Sequence, residues 1–395
     1  MATASKSRSA AQRQYEPYLE AVWGLSNHWY PAAFSHEVPD RVVTGVMICG
    51  HEIALRRARG KVYALADRCA HRGVRISKKS MCLTDEHLTC WYHGFTYGLE
   101  DGVLKTILAS PDDAQIGRLR IRTYPVEEHN GIIYVFVGDP DYRPIPPLAS
   151  DLPIRITDDP NPVGHPLDEQ VYVRGIRRTC VGNWRLGMEN GFDSGHFLIH
   201  YDTQFIVATD RALALGWQTT GPDAIRTIDE PDGPKGLMSM FKSGQFRIIR
   251  ESAPLGIKVY GKNRHYARTS IYLPCVVMVE NWPINGWAQY EWQVPIDDYR
   301  HEYWEVLVGP GATEEQIKEA DFKYANFFEP LGLWNFNDPD VFARAALQEP
   351  YGVSEGWERE QLCAFDGALI SWRKLVSRHH RGIVERPRWA GPPAG

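Results

Sequence analysis

Cysteine is scarce in this chain, with seven in 395 residues, and the odd number prevents complete intrachain pairing. A disulfide framework is therefore excluded as the source of stability, and a reducing cytoplasm is the expected compartment. Long apolar runs are also missing. The longest, Ile132 to Val137, is the size of a strand, far from the roughly 18 residues that a membrane-spanning helix needs. Nor is there an excess of positive charge. Lys and Arg number 44 against 49 Asp and Glu, for a net charge of −5, which argues against a protein held to nucleic acid by bulk charge. No repeat of 20–50 residues and no extended low-complexity tract is present. The first residues (MATASKSRSAAQRQ) are basic and vaguely like a transit peptide, but they lack an apolar region and read as a frayed tail.

What is present is a core-forming chain with 43% hydrophobic and 12% aromatic residues, 13 of them Trp, and a length that suggests two or three domains. Residues 1–40 read as an N-terminal segment with a helix, an extended stretch and breaks at Pro31 and Pro39. Residues 41–138 carry short β-rich runs (43–48, 52–57, 62–66, 121–126, 131–137). Turn signals at Arg59-Gly60, Asp101-Gly102 and Asn130-Gly131 separate them, predicting a small antiparallel all-β domain. Five prolines in 139–153 mark a linker. Residues 154–385 mix strands (171–177, 246–250, 269–280, 288–295, 302–308) with helices (183–200, 313–328, 339–348, 359–377), and 386–395 form a tail. Runs of strands separated by helices predict an α+β chain.

Two loops carry the strongest chemical signal. Cys69-Ala-His71-Arg-Gly73 and Cys90-Trp-Tyr-His93-Gly94 give C-x-H, eighteen residues, then C-x2-H. All four could hold one structural Zn²⁺. Zinc fingers, however, usually supply a Cys pair and a His pair, whereas here each loop supplies one of each. That mixture suits a [2Fe–2S] cluster with thiolates on one iron and imidazoles on the other, a ligation that raises the reduction potential. Gly73 and Gly94 would let backbone approach the cluster and donate N–H groups to its sulfurs. Cys82 has no matching His partner, and Cys49, Cys180, Cys275 and Cys363 read as buried small hydrophobes.

A second constellation lies in 183–200. Asp193, His196 and His200 fall at i, i+3 and i+7, on one face of a helix. Phe197, Leu198 and Ile199 between the imidazoles point to a buried helix, where a His pair needs a purpose. A distant carboxylate would complete a metal site. In Asn337-Asp338-Pro339-Asp340, Asp338 reads as N-cap before an N1 proline, leaving Asp340 in the first turn as the best candidate, with Glu329 and Glu349 as weaker rivals. Two His and one carboxylate leave open positions and suit ferrous iron that activates O2.

With both constellations in order, the chain resembles the terminal oxygenases of the Rieske non-haem iron family. CAHRG and CWYHGF look like the family's cluster loops, and NGFDSGHFLIH looks like its iron-binding segment. Ala70 stands where many members have Pro, Phe95 where many have Trp, and Gly195 lies between Asp193 and His196, but no ligand is lost. The resemblance implies an N-terminal all-β Rieske [2Fe–2S] domain and a catalytic domain with an antiparallel sheet flanked by helices, helix-grip-like. It implies Cys69, His71, Cys90 and His93 as cluster ligands, and His196, His200 and Asp340 as ligands of one mononuclear Fe(II). It further implies a homotrimer in which Asp193 bridges electrons from the neighbour's cluster, a ferredoxin donor with an NAD(P)H ferredoxin reductase upstream, and O2 as co-substrate.

NHWYP (27–31), DGVLKTIL (101–108), AQIGR (114–118) and FNDPDVFARAA (336–346) draw the likeness toward members acting on carbazole-like aromatics. For those, angular dihydroxylation gives 2'-aminobiphenyl-2,3-diol. The same likeness suggests Gly191, Trp282, Glu291 and Phe336 around the substrate, with Trp282 and Phe336 equally readable as core aromatics. A monooxygenase or demethylase of another aromatic or steroid would show the same ligands. An electron carrier using the cluster alone, or a zinc-stabilised binding module, would show only part of them.

Overall fold

In the computed structural model, residues 14–155, 162–209, 213–214, 217, 219–221, 224–239, 248–252, 256–260, 268–352 and 354–387 are described. The chain divides into a unit of Leu25–Leu148 and a unit combining Met1–Gly24 with Ala149–Gly395.

The first unit is all β. Strands β1 (His28–Phe34), β9 (Val126–His129) and β10 (Ile132–Val137) form one sheet in the order β1-β10-β9. A second sheet orders β2 (Val43–Ile48), β3 (His51–Ala58), β4 (Lys61–Ala66) and β8 (Thr123–Tyr124), and a third orders β5 (His87–Thr89), β6 (Phe95–Gly98) and β7 (Leu104–Ile107). Asn130-Gly131 is a two-residue hairpin turn with both φ positive, at 44° and 78°, which closes the register Ile132↔His129. Cys49-Gly50 makes the same kind of turn between β2 and β3, a signal that the sequence reading passed over.

The 121–126 run is two strands, not one. β1, expected in the N-terminal segment, pairs with β10 from His28↔Val137 to Phe34↔Ile132 and so belongs to the β unit. This unit ends at Leu148, inside the expected 139–153 linker.

The other unit is built on a seven-stranded antiparallel sheet ordered β11-β20-β19-β18-β17-β14-β13. These strands are β11 (Val171–Val181), β13 (Ile225–Asp229), β14 (Lys235–Ser239), β17 (Arg268–Tyr272), β18 (Val276–Glu280), β19 (Ala288–Pro295) and β20 (Arg300–Pro310). A three-stranded sheet adds β12 (Leu213–Ala214), β15 (Ile248–Ser252) and β16 (Gly256–Tyr260). Positions 246–247 of the expected 246–250 strand lie outside the described residues. The expected 269–280 strand is a hairpin, because Pro274 cannot donate to a ladder and the chain turns between Tyr272 and Val276. All eight residues of β19 are buried, as for a strand covered on both faces.

The helices of this unit are α1 (Glu16–Glu20), α2 (Trp184–Phe192), α3 (Gln204–Thr209), α4 (Glu314–Lys323), α5 (Asp338–Tyr351), α6 (Ser354–Arg359) and α7 (Gly367–His379), of which α2, α4, α5 and α7 pack on the sheet. The fold is α+β, as expected, but three helices differ from their sequence reading. Thr313 starts α4 with a capping box to Gln316, yet α4 ends at Lys323 and continues as a π-helix over Tyr324–Phe336 that contains Pro330. The expected 359–377 helix is divided between α6, a 3₁₀ turn at Ala364–Asp366 and α7. The third difference, at Asp193, shapes the site. Among the cysteines, Cys49, Cys180 and Cys275 are buried, but Cys363 is exposed, contrary to expectation.

Candidate metal centres

The helix expected over 183–200 is interrupted. Asn183 caps α2 by accepting from the Arg185 N–H at 3.3 Å, and α2 ends at Phe192. Asp193 is extended (φ −68°, ψ 126°), and its Oδ1 accepts the Gly195 N–H at 2.7 Å. This local side-chain bond competes with helix continuation, so the chain turns before resuming as a 3₁₀ segment, His196–His200. Asp193, His196 and His200 therefore do not share one continuous helical face.

The break supplies the ligand orientation instead. The carbonyl freed at Asp193 accepts from His196 Nδ1 at 2.7 Å. The Phe336 carbonyl, at the end of the π-helix, accepts from His200 Nδ1 at 2.8 Å. A carbonyl only accepts, so both imidazoles carry their proton on Nδ1 and present the Nε2 lone pair inward. Asp340 meets them there: His196 Nε2 to Oδ1 is 3.7 Å, and His200 Nε2 to Oδ2 is 3.5 Å.

These three residues offer ligand atoms within 4.8 Å of one another, a grouping of metal size. Asp340 is buried, and its Oδ1 has no hydrogen-bond partner. Burial alone would raise its pKa, but His200, His196 and Arg344 hold the carboxyl well below the usual carboxylate range. Burial, the largest cause, also lowers the pKa of His196, favouring the neutral imidazole that a metal requires. An ionised carboxylate with an orphaned oxygen beside two inward lone pairs fits a divalent iron with open positions.

Asp338 is not the cap. Asn337 takes the N-cap position without a side-chain cap bond, and Asp338 pairs with Arg178 at 2.6 Å. Pro339 still opens α5 and leaves Asp340 in its first turn.

The other four expected ligands lie in the β unit. The two loops share one backbone design: the Gly73 N–H donates to Cys69 O at 2.9 Å and the Gly94 N–H to Cys90 O at 3.0 Å. Both glycines have positive φ, at 70° and 73°. With these N–H groups the glycines close the turns. The sulfurs are served by other backbone N–H groups, from His71 for Cys69 and from Tyr92 and His93 for Cys90.

The side chains sort into two like pairs. The Cys69 and Cys90 thiols form one electrostatically linked pair, with Cys69 Sγ 3.2 Å from Tyr97 OH, and His71 Nδ1 lies 3.2 Å from His93 Nδ1. The interaction with Cys90, against burial, lowers the pKa of the Cys69 thiol, and the same interaction raises that of Cys90. Both cysteines are buried, His71 is exposed and His93 is half-buried. Thiols inside and imidazoles outside match a two-iron cluster with a surface-facing His end. Phe95 stacks on His71 at 4.6 Å and 3°, so a flat ring still backs this ligand.

Beside the His-His-Asp site is an aromatic wall. The Phe336 ring stacks on His200 at 4.0 Å and lies 4.6 Å from Trp282, and Phe205 lies 4.8 Å from Trp282. Ile206 completes this buried cluster. Gly191 sits in the last turn of α2, where a Cβ would come within 2.9 Å of Val277.

Glu291 is committed elsewhere. Its oxygens accept from Gln289 Nε2 at 2.9 Å and Tyr303 OH at 2.7 Å, and Arg344 lies 3.8 Å away. It is tied to the aromatic wall through Gln289, whose Oε1 accepts from Trp282 Nε1 at 3.0 Å. Arg344, fully buried, also donates to Asn190 Oδ1 at 2.7 Å. The sequence reading missed Arg344, Gln289 and Phe205. Arg344, four residues after Asp340 on one helix, carried the one available signal.

Two family models match, "Rieske [2Fe-2S] domain" over residues 28–125 and "Homotrimeric ring hydroxylase" over 136–384. The terminal oxygenase component of carbazole 1,9a-dioxygenase from Metapseudomonas resinovorans is 37% identical over 385 residues, covering 95% of this chain and 96% of that relative. A solved 2-oxoquinoline 8-monooxygenase component superposes with a TM-score of 0.91 at 46% identity, covering 100% of this chain and 95% of the other. The oxygenase in a reduced oxygenase–ferredoxin complex of carbazole 1,9a-dioxygenase gives a TM-score of 0.84 at 35% identity, covering 100% of both chains.

Proposed function

The chain belongs to the homotrimeric ring hydroxylases that carry a Rieske [2Fe-2S] domain, and we propose that it is a terminal oxygenase acting on a fused nitrogen heteroaromatic. The observation that carries this reading is the trio His196, His200 and Asp340 beside the aromatic wall of Phe336, Trp282 and Phe205.

His196, His200 and Asp340 would hold Fe(II), and Cys69, His71, Cys90 and His93 would hold the cluster. Bound, these groups supply one-electron storage and the reduction of O2 at a centre open to substrate. The chain's own residues do the rest. The Asp193 and Phe336 carbonyls fix the two imidazoles in the ligating tautomer. The aromatic wall binds a flat ring and keeps water from it. The exposed edge of His71 receives a ferredoxin, a partner with which a relative has been solved, and an NAD(P)H-dependent reductase charges that ferredoxin.

Asp193 lies next to the His196 turn and serves as the electron bridge from the cluster of a neighbouring copy in the trimer. The Gly191 carbonyl is the acceptor for a substrate ring N–H, and Glu291 acts at one remove, through Gln289 and Trp282. Seven cysteines, none in a disulfide and two of them assigned to the cluster, support a cytoplasmic location.

Two reactions fit this site. Carbazole-type angular dihydroxylation, supported by the 37% relative, adds both atoms of O2 to adjacent carbons, one bearing nitrogen, and the product opens to 2'-aminobiphenyl-2,3-diol. The 46% identity to the 2-oxoquinoline 8-monooxygenase component favours a second reading, insertion of one oxygen atom into a bicyclic lactam. Turnover of carbazole and of 2-oxoquinoline under ¹⁸O2, with a ferredoxin and its reductase, separates them. Two labelled atoms in a ring-opened carbazole product support the first, and one in a hydroxylated oxoquinoline supports the second. Turnover of neither, with both metal sites filled, overturns the substrate class.

A further inference from the structure

One buried carboxylate underlies the first cluster loop. The side chain of Glu52, on β3, is 4% exposed. Arg68, immediately before Cys69, places NH2 3.1 Å from Glu52 Oε1 and Nε against Oε2. Arg75, two residues past Gly73, donates Nε to the same Oε1 at 2.8 Å, with NH2 also against it. The two arginines thus grip one anion from opposite ends of the loop that carries Cys69 and His71.

The grip extends to the second loop. The Arg75 carbonyl accepts from Trp91 Nε1 at 2.9 Å, and Trp91 follows Cys90 directly. Arg68 NH1 also donates to Gly73 O at 3.1 Å, across the mouth of the first turn. The Asp67 N–H donates to Glu52 O at 2.9 Å, so backbone and side chain of one residue both anchor the loop base.

We propose that Glu52 is a positioning residue for the cluster, holding both ligand loops in register and neutralising one of the two guanidinium charges that flank it. This rests on the reading of the loops as a [2Fe–2S] site. Glu52 carries −1 and the arginines +2, so the local sum is +1, and removing the carboxylate leaves +2. Reduction adds negative charge to the cluster, and an uncompensated cation nearby favours it. The midpoint potential therefore rises when Glu52 is neutralised and falls when one arginine is. Arg68 and Arg75 are 45% and 39% exposed, so solvent and salt moderate the effect to on the order of a few-fold in the reduction equilibrium.

The test is redox titration of the intact, cluster-loaded protein, followed by visible absorbance and electron paramagnetic resonance. Glu52→Gln is expected to keep acid-labile sulfide and raise the midpoint. Arg75→Gln is expected to lower it, and the double variant, with its sum again +1, to return close to the parent. The shift in Glu52→Gln should shrink in high salt. An unchanged or lowered midpoint in Glu52→Gln with the cluster intact overturns the proposal. If Glu52→Gln loses its cluster, Arg75→Gln alone decides, and a midpoint that does not fall overturns it. Absence of sulfide from the parent protein would instead overturn the cluster reading itself.

Discussion

His200 is held twice by Phe336: the Phe336 carbonyl accepts its Nδ1 proton at 2.8 Å, and the Phe336 ring stacks on the same imidazole at 4.0 Å. One residue thus orients a proposed iron ligand through its backbone and joins it to the neighbouring aromatic cluster with its side chain.

Phe336→Ala separates these roles. The carbonyl remains, so iron content should stay near that of the parent. Loss of a nearly buried ring costs about 3–5 kcal/mol of stability and opens the aromatic wall. The expected outcome is a lower Tm, a higher KM for the aromatic substrate and more O2 consumed per product. Loss of iron with KM unchanged would contradict the division.

Asp340→Asn should empty the mononuclear site while sparing the other. The buried amide cannot supply the charge that opposes a divalent ion, and it leaves the two imidazoles without an anionic partner. Metal analysis should show one fewer iron per chain with acid-labile sulfide unchanged. Oxygenation should vanish while the cluster still cycles. Retained turnover would exclude Asp340 as a ligand.

Asp193→Asn tests the bridge. An Asn side-chain oxygen can still accept the Gly195 N–H, and the backbone carbonyl that orients His196 is untouched. Both metal sites should stay filled, while reoxidation of the reduced cluster in the presence of substrate and O2 slows by about an order of magnitude or more. Unchanged stopped-flow kinetics would remove Asp193 from the electron route.

His165 gives the fold a definite acid sensitivity. Its Nε2–H donates to Pro153 O at 2.9 Å and its Nδ1 accepts from the Leu167 N–H at 3.1 Å, so a second proton has no place. Burial lowers its pKa to about 4. The unfolded chain takes up the proton near 6.5 and the folded chain only near 4, so the unfolded state binds more protons between these values. Stability from this residue is complete above pH 6.5 and is lost as the pH falls through the window, by on the order of 3 kcal/mol in all. Urea midpoints measured from pH 7 to pH 4 should fall less steeply in His165→Gln than in the parent. Parallel slopes would contradict the assignment.

The sequence made the candidate metal ligands legible because their signals are local. C-x-H, C-x2-H and the i,i+4 histidines are spacings within one turn, and Pro339 announced the helix start that places Asp340. What stayed hidden depends on distant partners or on competition between local bonds. The break at Asp193 follows from a side chain capturing the Gly195 N–H, which a helical periodicity count does not register. Over Tyr324–Phe336, Pro330 and Gly332 read as a helix stop, yet the chain continues as a π-helix that brings the Phe336 carbonyl to His200 across 136 residues of chain. Glu291 was expected beside the substrate because it lies on a suitable strand. Its partners Tyr303 and Arg344, from β20 and α5, instead draw it into a buried polar network.

The central claim is that electrons stored in the Rieske cluster drive oxygenation at the His196–His200–Asp340 site. The most direct measurement is a single turnover of the protein, chemically reduced and freed of reductant, mixed with heteroaromatic substrate and ¹⁸O2 without ferredoxin. The account predicts that the cluster reoxidises in step with formation of product carrying label from O2. Reoxidation accompanied only by peroxide, or labelled product formed while the cluster stays reduced, would contradict it.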